Sequence, residues 1–216
     1  MTFADYLQKN IFDPLGLKSI GFSVNPQDKN SFTTLYTSGA FSRDGEVVAP
    51  SELNQAELMY SAELRAIDKF DNSPYLKNSS KLFDGGSGLV SNIDDYSKFA
   101  EMLLNGGIFN GVRIISEASV DLMSRNHLSD EILSDGSAFG LSGIGFGLTV
   151  GNVMDPGVAG TYSADGEFFW GGAASTIFWV DRKNNVTATM MTQYMPSDKY
   201  PLREELKTLL YSSLSN

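Results

Sequence analysis

Residues 166–176 read GEFFWGGAAST. The bulky Glu167, Phe168, Phe169 and Trp170 meet a run of small residues, Gly171, Gly172, Ala173, Ala174 and Ser175, before Ile177, Phe178, Trp179 and Val180 restore the bulk. Glycine inside a strand weakens it and marks a bulge or a close approach by another backbone or a ligand. The pattern predicts a strand over 168–180 with such an approach at its centre. A second strand over 186–194 pairs with it across the turn Asp181-Arg182-Lys183-Asn184-Asn185. Two aromatic strands of this kind need a covering layer. Residues 201–214 supply a helix with Leu202, Leu206, Leu209 and Leu210 on one face.

The rest of the chain reads as helices and loops. Phe3, Tyr6, Leu7 and Ile11 recur at helical spacing over 2–12, and Asp13-Pro14-Leu15-Gly16 ends that helix. Residues 91–104 carry the clearest helical pattern, with Ile93, Tyr96, Phe99, Ala100, Leu103 and Leu104 on the apolar face. Ser91 with Asp94 makes a capping-box-like start, and Asn105-Gly106-Gly107 makes a stop. Ser116 caps a short helix carrying Val120 and Met123, and 146–153 alternates as a strand. Residues 35–50 form a hairpin turning at Asp44-Gly45, within a polar stretch from 25 to 82 that otherwise reads as loops and short helices. Helices first and strands last predict an α+β fold, an antiparallel sheet with packed helices, in a single domain over 1–216. Its helical and loop region covers 25–140, and its sheet strands and C-terminal helix cover 141–216.

Composition narrows the function. A formal charge of −10 argues against nucleic-acid partners, which need basic surface. Cysteine is absent, so disulfides and thiolate metal sites are excluded. MTFADYLQKN is not a signal peptide, and the glycine-rich uncharged stretch 136–154 is too polar to cross a membrane. The expectation is a soluble protein of cytoplasm or periplasm, with no membrane partner, no cofactor and no metal.

The common catalytic sets are incomplete. His127 is the only histidine and sits near a helix end, where it reads as structural or solvent-facing rather than as a triad member. The stretches around Ser87 and Ser142 approach the nucleophile-elbow pattern, but each lacks the last glycine. GGSGLVS fits neither phosphate-loop pattern and reads as a tight turn feeding a helix. Asp94-Asp95 reads as the acidic first turn of a helix.

Three blocks carry a resemblance. They are YLQKNIFDPLGLKSIGF (6–22), GGSGLVSNIDDYSKFAEMLLNGGIFNGVRIISEASVDLMSRNHL (85–128), and GFGLTV followed by GEFFWGGAASTIFWVDRKNNVTATMMTQYMP. In this order they resemble the serine β-lactamase-like superfamily, in the branch of class C β-lactamases and family VIII carboxylesterases. The likeness covers the chain apart from the polar stretch 25–82. The family uses Ser-x-x-Lys for nucleophile and activating lysine, Tyr-x-Asn or Tyr-x-Ser for proton movement, and a third motif on a strand facing the nucleophile. That third motif is Lys-Thr-Gly in the lactamases and often Trp-Gly-Gly in the esterases. Here Trp170-Gly171-Gly172 matches it.

The resemblance implies that Trp170, Gly171 and Gly172 bind substrate, with an acyl group lying flat against the glycines. It also implies that the backbone N–H of Ala173 is an oxyanion donor. The implied substrate is a small ester or amide handled through an acyl-enzyme, with esters favoured because a tryptophan replaces the motif lysine.

The chain departs from the family in two respects. None of its lysines has a serine three positions earlier, and Tyr36-Thr37-Ser38 follows the DPLGL block where the family's tyrosine motif precedes it. The resemblance therefore implies the C-terminal part of a β-lactamase/transpeptidase-like fold, with Met1 as an internal methionine or the chain as an incomplete gene product. Such a part pairs with its missing N-terminal half, self-associates through the open sheet edge at 186–194, or is rearranged. The alternative function is a non-catalytic binding or interaction module on the same scaffold.

Overall fold

A computed structural model describes residues 1–38, 64–76, 83–134, 142–197 and 199–214. Helix α1 (Phe3–Leu7) opens with a capping box: Thr2 Oγ1 accepts the Asp5 N–H, and the Asp5 carboxylate accepts the Thr2 N–H. It runs through a π-helical turn, Gln8–Phe12, into α2 (Asp13–Leu15) and ends at Gly16, whose φ is 66°. The helical run thus passes Asp13 and Pro14 and stops only where glycine adopts a left-handed backbone.

Strands β1 (Leu35–Ser38) and β2 (Leu64–Asp68) pair antiparallel. The expected turn at Asp44-Gly45 lies outside the described residues. Helix α3 (Ile93–Leu104) follows, then the short strands β3 (Ile108–Phe109) and β4 (Val112–Arg113), and helices α4 (Glu117–Ser124) and α5 (Asp130–Ser134). Ser116 caps α4 as expected, accepting the Ser119 N–H at 3.1 Å. For α3 the cap is Asn92, one residue later than Ser91, and it accepts the Asp95 N–H at 2.9 Å.

The main sheet contains β5 (Ile144–Phe146), β6 (Gly151–Val153), β7 (Phe168–Gly171), β8 (Ile177–Asp181) and β9 (Val186–Met190), with α6 (Pro156–Ala159) between β6 and β7. It is antiparallel throughout, in the order β5-β6-β7-β8-β9. Two predicted strands become hairpins. The stretch 146–153 holds only the last residue of β5, then a turn in which Gly147 N–H reaches Val150 O at 2.7 Å, and then β6. The stretch 168–180 divides into β7 and β8, which pair with Trp170 opposite Phe178 and Gly171 opposite Ile177. The small residues therefore make a chain reversal, not an interruption within one strand. The strand expected over 186–194 also divides: β9 joins the main sheet, and β10 (Tyr194–Met195) pairs in parallel with β1.

Helix α3 covers one face of the sheet. The Tyr96 ring meets Phe178 with centroids 5.4 Å apart, and Ala100, Met102 and Leu103 join Phe168, Phe178, Val180, Val120 and Val150 in the core. Met102, absent from the predicted apolar face, is buried, whereas Ile93, placed on it, is exposed. The first and second sequence blocks meet at Asp95. Its carboxylate, 4% exposed, accepts the N–H groups of Lys18 and Ser19 at 2.7 and 2.6 Å and the Lys98 ammonium at 2.8 Å. Asp95 is thus a buried bracket as well as part of an acidic first turn.

Helix α7 (Leu202–Ser213) lies on the opposite face, with Leu202, Leu206 and Leu210 of the expected leucine face half-buried and Leu209 exposed. Arg203, Lys207 and Tyr211, four residues apart, form the row that meets the sheet. No residue of α7 is buried, and Leu209 is 70% exposed. The row suits a mixed face: it meets the Glu167 and Asp181 carboxylates and the loop carbonyls, and the Lys207 ammonium also lies over the Phe169 and Trp179 rings, 5.8 Å from each centroid. Among the described residues no strand pairs with the outer edge of β9 in the main sheet. No described helix is long and apolar enough to cross a membrane.

Candidate functional site

The sequence-predicted site residues fall at the end of β7, Trp170 and Gly171, and at the start of the loop 172–176 that joins it to β8, Gly172 and Ala173. Gly172 N–H donates to Thr176, to its carbonyl and to Oγ1, both at 3.1 Å. From the α7 side, Arg203 Nη2 donates to the carbonyls of Gly172 and Thr176, each at 2.8 Å. From the other side, Ala174 O accepts Thr192 Oγ1 at 2.7 Å and Tyr194 N–H at 3.3 Å. Ser175 is buried, bends with φ 63°, and donates its hydroxyl to Tyr194 O at 2.7 Å.

The two glycines answer to this packing. A Cβ on Gly171 would stand 2.9 Å from Arg203 Nη2 and 2.9 Å from Thr176 O, and one on Gly172 would stand 2.6 Å from Thr176 Oγ1. The space that stripped side chains leave here is filled by the protein's own guanidinium and threonine. Ala173, by contrast, is exposed, and its N–H makes no hydrogen bond among the described residues. Trp170, the last large residue before the loop, is 40% exposed with its ring against Phe146.

Tyr36, whose motif the sequence left without a role, lies in register with Tyr194 in the β1–β10 pair. The Tyr194 ring meets Tyr200 at a tilt, centroids 5.3 Å apart, and its N–H holds Ala174, so the topology brings three tyrosines to the loop's flank. Nothing local in the sequence announces a parallel pairing between residues 36 and 194.

The other candidates remain apart. The His127 ring bonds the Leu122 carbonyl at 2.8 Å. The Ser87 hydroxyl donates to Asp84 at 2.8 Å in an exposed turn, and Ser142 is exposed.

Beneath the loop, α7 is anchored by charge. Glu167, 1% exposed, accepts Lys207 Nζ at 2.5 Å on one oxygen and lies 2.5 Å from the Tyr211 hydroxyl on the other. That hydroxyl is also 2.6 Å from Asp181. Burial pushes the Glu167 carboxyl above its ordinary value, and Lys207 and Tyr211 offset this only in part. Burial and the two carboxylates push the Tyr211 phenol upward as well.

Residues 1–211 match the family model described as Beta-lactamase. Protein Rv1367c of Mycobacterium tuberculosis (strain ATCC 25618 / H37Rv) is 35% identical over 119 residues, which are 52% of this chain and 29% of that protein. Among solved structures, simvastatin synthase (LovD) from Aspergillus terreus superposes with TM-score 0.66 at 19% identity, covering 99% of this chain and 51% of LovD. EstCE1, a hydrolase with promiscuous acyltransferase activity, does so with TM-score 0.66 at 19% identity, covering 96% and 50%. The chain thus spans about half of these solved proteins and less than a third of the curated relative. At such identities the superpositions show a shared fold, the antiparallel sheet with packed helices. With 1–211 of its 216 residues matched by the family model, the chain belongs to the Beta-lactamase family, within the serine β-lactamase-like superfamily.

Proposed function

We propose that this chain supplies one wall and one oxyanion donor of an acyl-transfer site that takes small carboxylic esters. The observation that carries the reading is the loop after Trp170. It is clamped from both sides, yet Ala173 is exposed and its N–H makes no hydrogen bond among the described residues. A fixed, unpaired donor suits a carbonyl oxygen that gains negative charge in the transition state.

In this reading a serine hydroxyl attacks the ester carbonyl carbon, and its proton passes to the alcohol oxygen as the carbon–oxygen bond breaks. Water then attacks the acyl-enzyme, releasing the acid and restoring the serine. The oxyanion is held between the N–H of that serine and the N–H of Ala173. The half-exposed Trp170 lines the acyl or alcohol part, which favours apolar groups. The nucleophile comes from a segment other than this one, because no Ser-x-x-Lys occurs in it. That segment docks at the edge of β9 that no described strand pairs, and over the exposed Leu209 side of α7. The test is Ala173→Pro, which removes the N–H, in a preparation extended to include the nucleophile segment. We expect kcat on p-nitrophenyl butyrate to fall about 10²–10³-fold. An unchanged kcat rejects the donor role.

The missing Ser-x-x-Lys also favours a second reading, a non-catalytic binding module on this scaffold. An extended preparation that binds an ester without turning it over supports that one instead.

A further inference from the structure

Arg203 does more than fill the space above Gly171. The carbonyl of Gly172 and the N–H of Ala173 belong to one planar peptide group, in which the two bonds point in opposite directions. Arg203 Nη2 donates to that carbonyl at 2.8 Å. The hydrogen bond therefore fixes the direction of the Ala173 N–H and draws electron density from it, since hydrogen bonds in a chain polarise one another. Among the described residues the guanidinium has no carboxylate partner, so its positive charge is not cancelled beside the loop. The same Nη2 also holds Thr176 O at 2.8 Å, which ties the two ends of the loop through one nitrogen.

We propose that Arg203 is the positioning residue of the site: it aims and polarises the Gly172–Ala173 peptide so that Ala173 presents a strengthened donor. This inference rests on the acyl-transfer reading for its use, but not for its physical content. It also accounts for Gly171, because a side chain there would displace the guanidinium from the peptide it polarises.

The experiment compares the isotopically labelled chain with its Arg203→Lys and Arg203→Met variants by NMR. In the Met variant the carbonyl carbon of Gly172 and the amide nitrogen of Ala173 should move upfield. The amides of 173–176 should exchange about tenfold faster as the loop opens locally. The Lys variant, which keeps a charged donor, should restore most of both effects. The amides of Met102 and Val120, in the core, should not change. Unmoved Gly172 and Ala173 resonances in the Met variant overturn the proposal. So does loosening of the core amides by as much as the loop, since Arg203 would then merely hold the helix.

In a preparation that turns over p-nitrophenyl butyrate, Arg203→Met should lower kcat about 10–100-fold with KM within about threefold. If the resonances move but kcat does not, the positioning stands and the oxyanion role of Ala173 fails. The two ideas can therefore fail separately.

Discussion

A methyl group on Gly171 would lie 2.9 Å from Arg203 Nη2 and equally close to the Thr176 carbonyl oxygen. One neighbour is a guanidinium already committed to two carbonyls, and the other is backbone, so neither yields cheaply. On Gly172 the only close neighbour is Thr176 Oγ1, the tip of a side chain that can rotate. Gly171→Ala should therefore destabilise by about 1–3 kcal/mol, as overpacking does. Gly172→Ala should lose little beyond one hydrogen bond, about 1 kcal/mol, and Thr176→Ala should relieve most of its clash. Thermal unfolding of the single variants and the double mutant checks the order.

Asp95 and Glu167 should make stability depend on pH in opposite senses. Burial raises the Asp95 carboxyl, but the bonds from Lys98, Ser19 and Lys18 outweigh it and hold it below its ordinary 3.8. A lowered pKa contributes stability above the unfolded value, and that contribution disappears as pH falls through the folded one. Asp95→Asn should cost about 1.5–3 kcal/mol near neutral pH. It should also flatten the acid limb of the stability profile, read by urea unfolding from pH 2 to 6.

Glu167 works the other way. Its carboxyl is raised above the ordinary 4.5. Its contribution is fully present below that value and declines as pH rises through the folded pKa. The chain should thus gain stability on going from neutral to mildly acidic pH, until Asp95 begins to protonate. Glu167→Gln should remove the gain. A profile that rises steadily to neutrality in the parent chain contradicts this account. Tyr211→Phe should cost about 1–3 kcal/mol by leaving a buried carboxylate short of a donor.

The edge of β9 that no described strand pairs and the exposed Leu209 side of α7 predict association. An unpaired strand edge is a template for another chain. Sedimentation velocity on the purified chain should show concentration-dependent self-association, relieved by the complementing segment. A sharp monomer at all concentrations argues against it.

Much of this fold is legible locally, because periodicity and caps are local. Ala100 and Leu103, the Ser116 cap and the 181–185 turn follow from spacing alone. The cap of α3 slips from Ser91 to Asn92 because both residues cap well, and the choice is made by Asp95 reaching Lys18 and Ser19. The 168–180 stretch misleads because a tight reversal and a stripped strand centre share one pattern of small residues. Trp170, Gly171, Gly172 and Ala173 can be picked out by the motif they resemble. Arg203 and Tyr36 cannot, since their contacts with the loop and its flank span long stretches of chain.

The measurement that tests the account most directly is turnover of p-nitrophenyl acetate and butyrate by this purified chain, with intact mass recorded after exposure to a fluorophosphonate. A wall without its nucleophile predicts no turnover and no adduct. Turnover with a covalent adduct would contradict it, and Ser87 and Ser142 would be the first serines to replace.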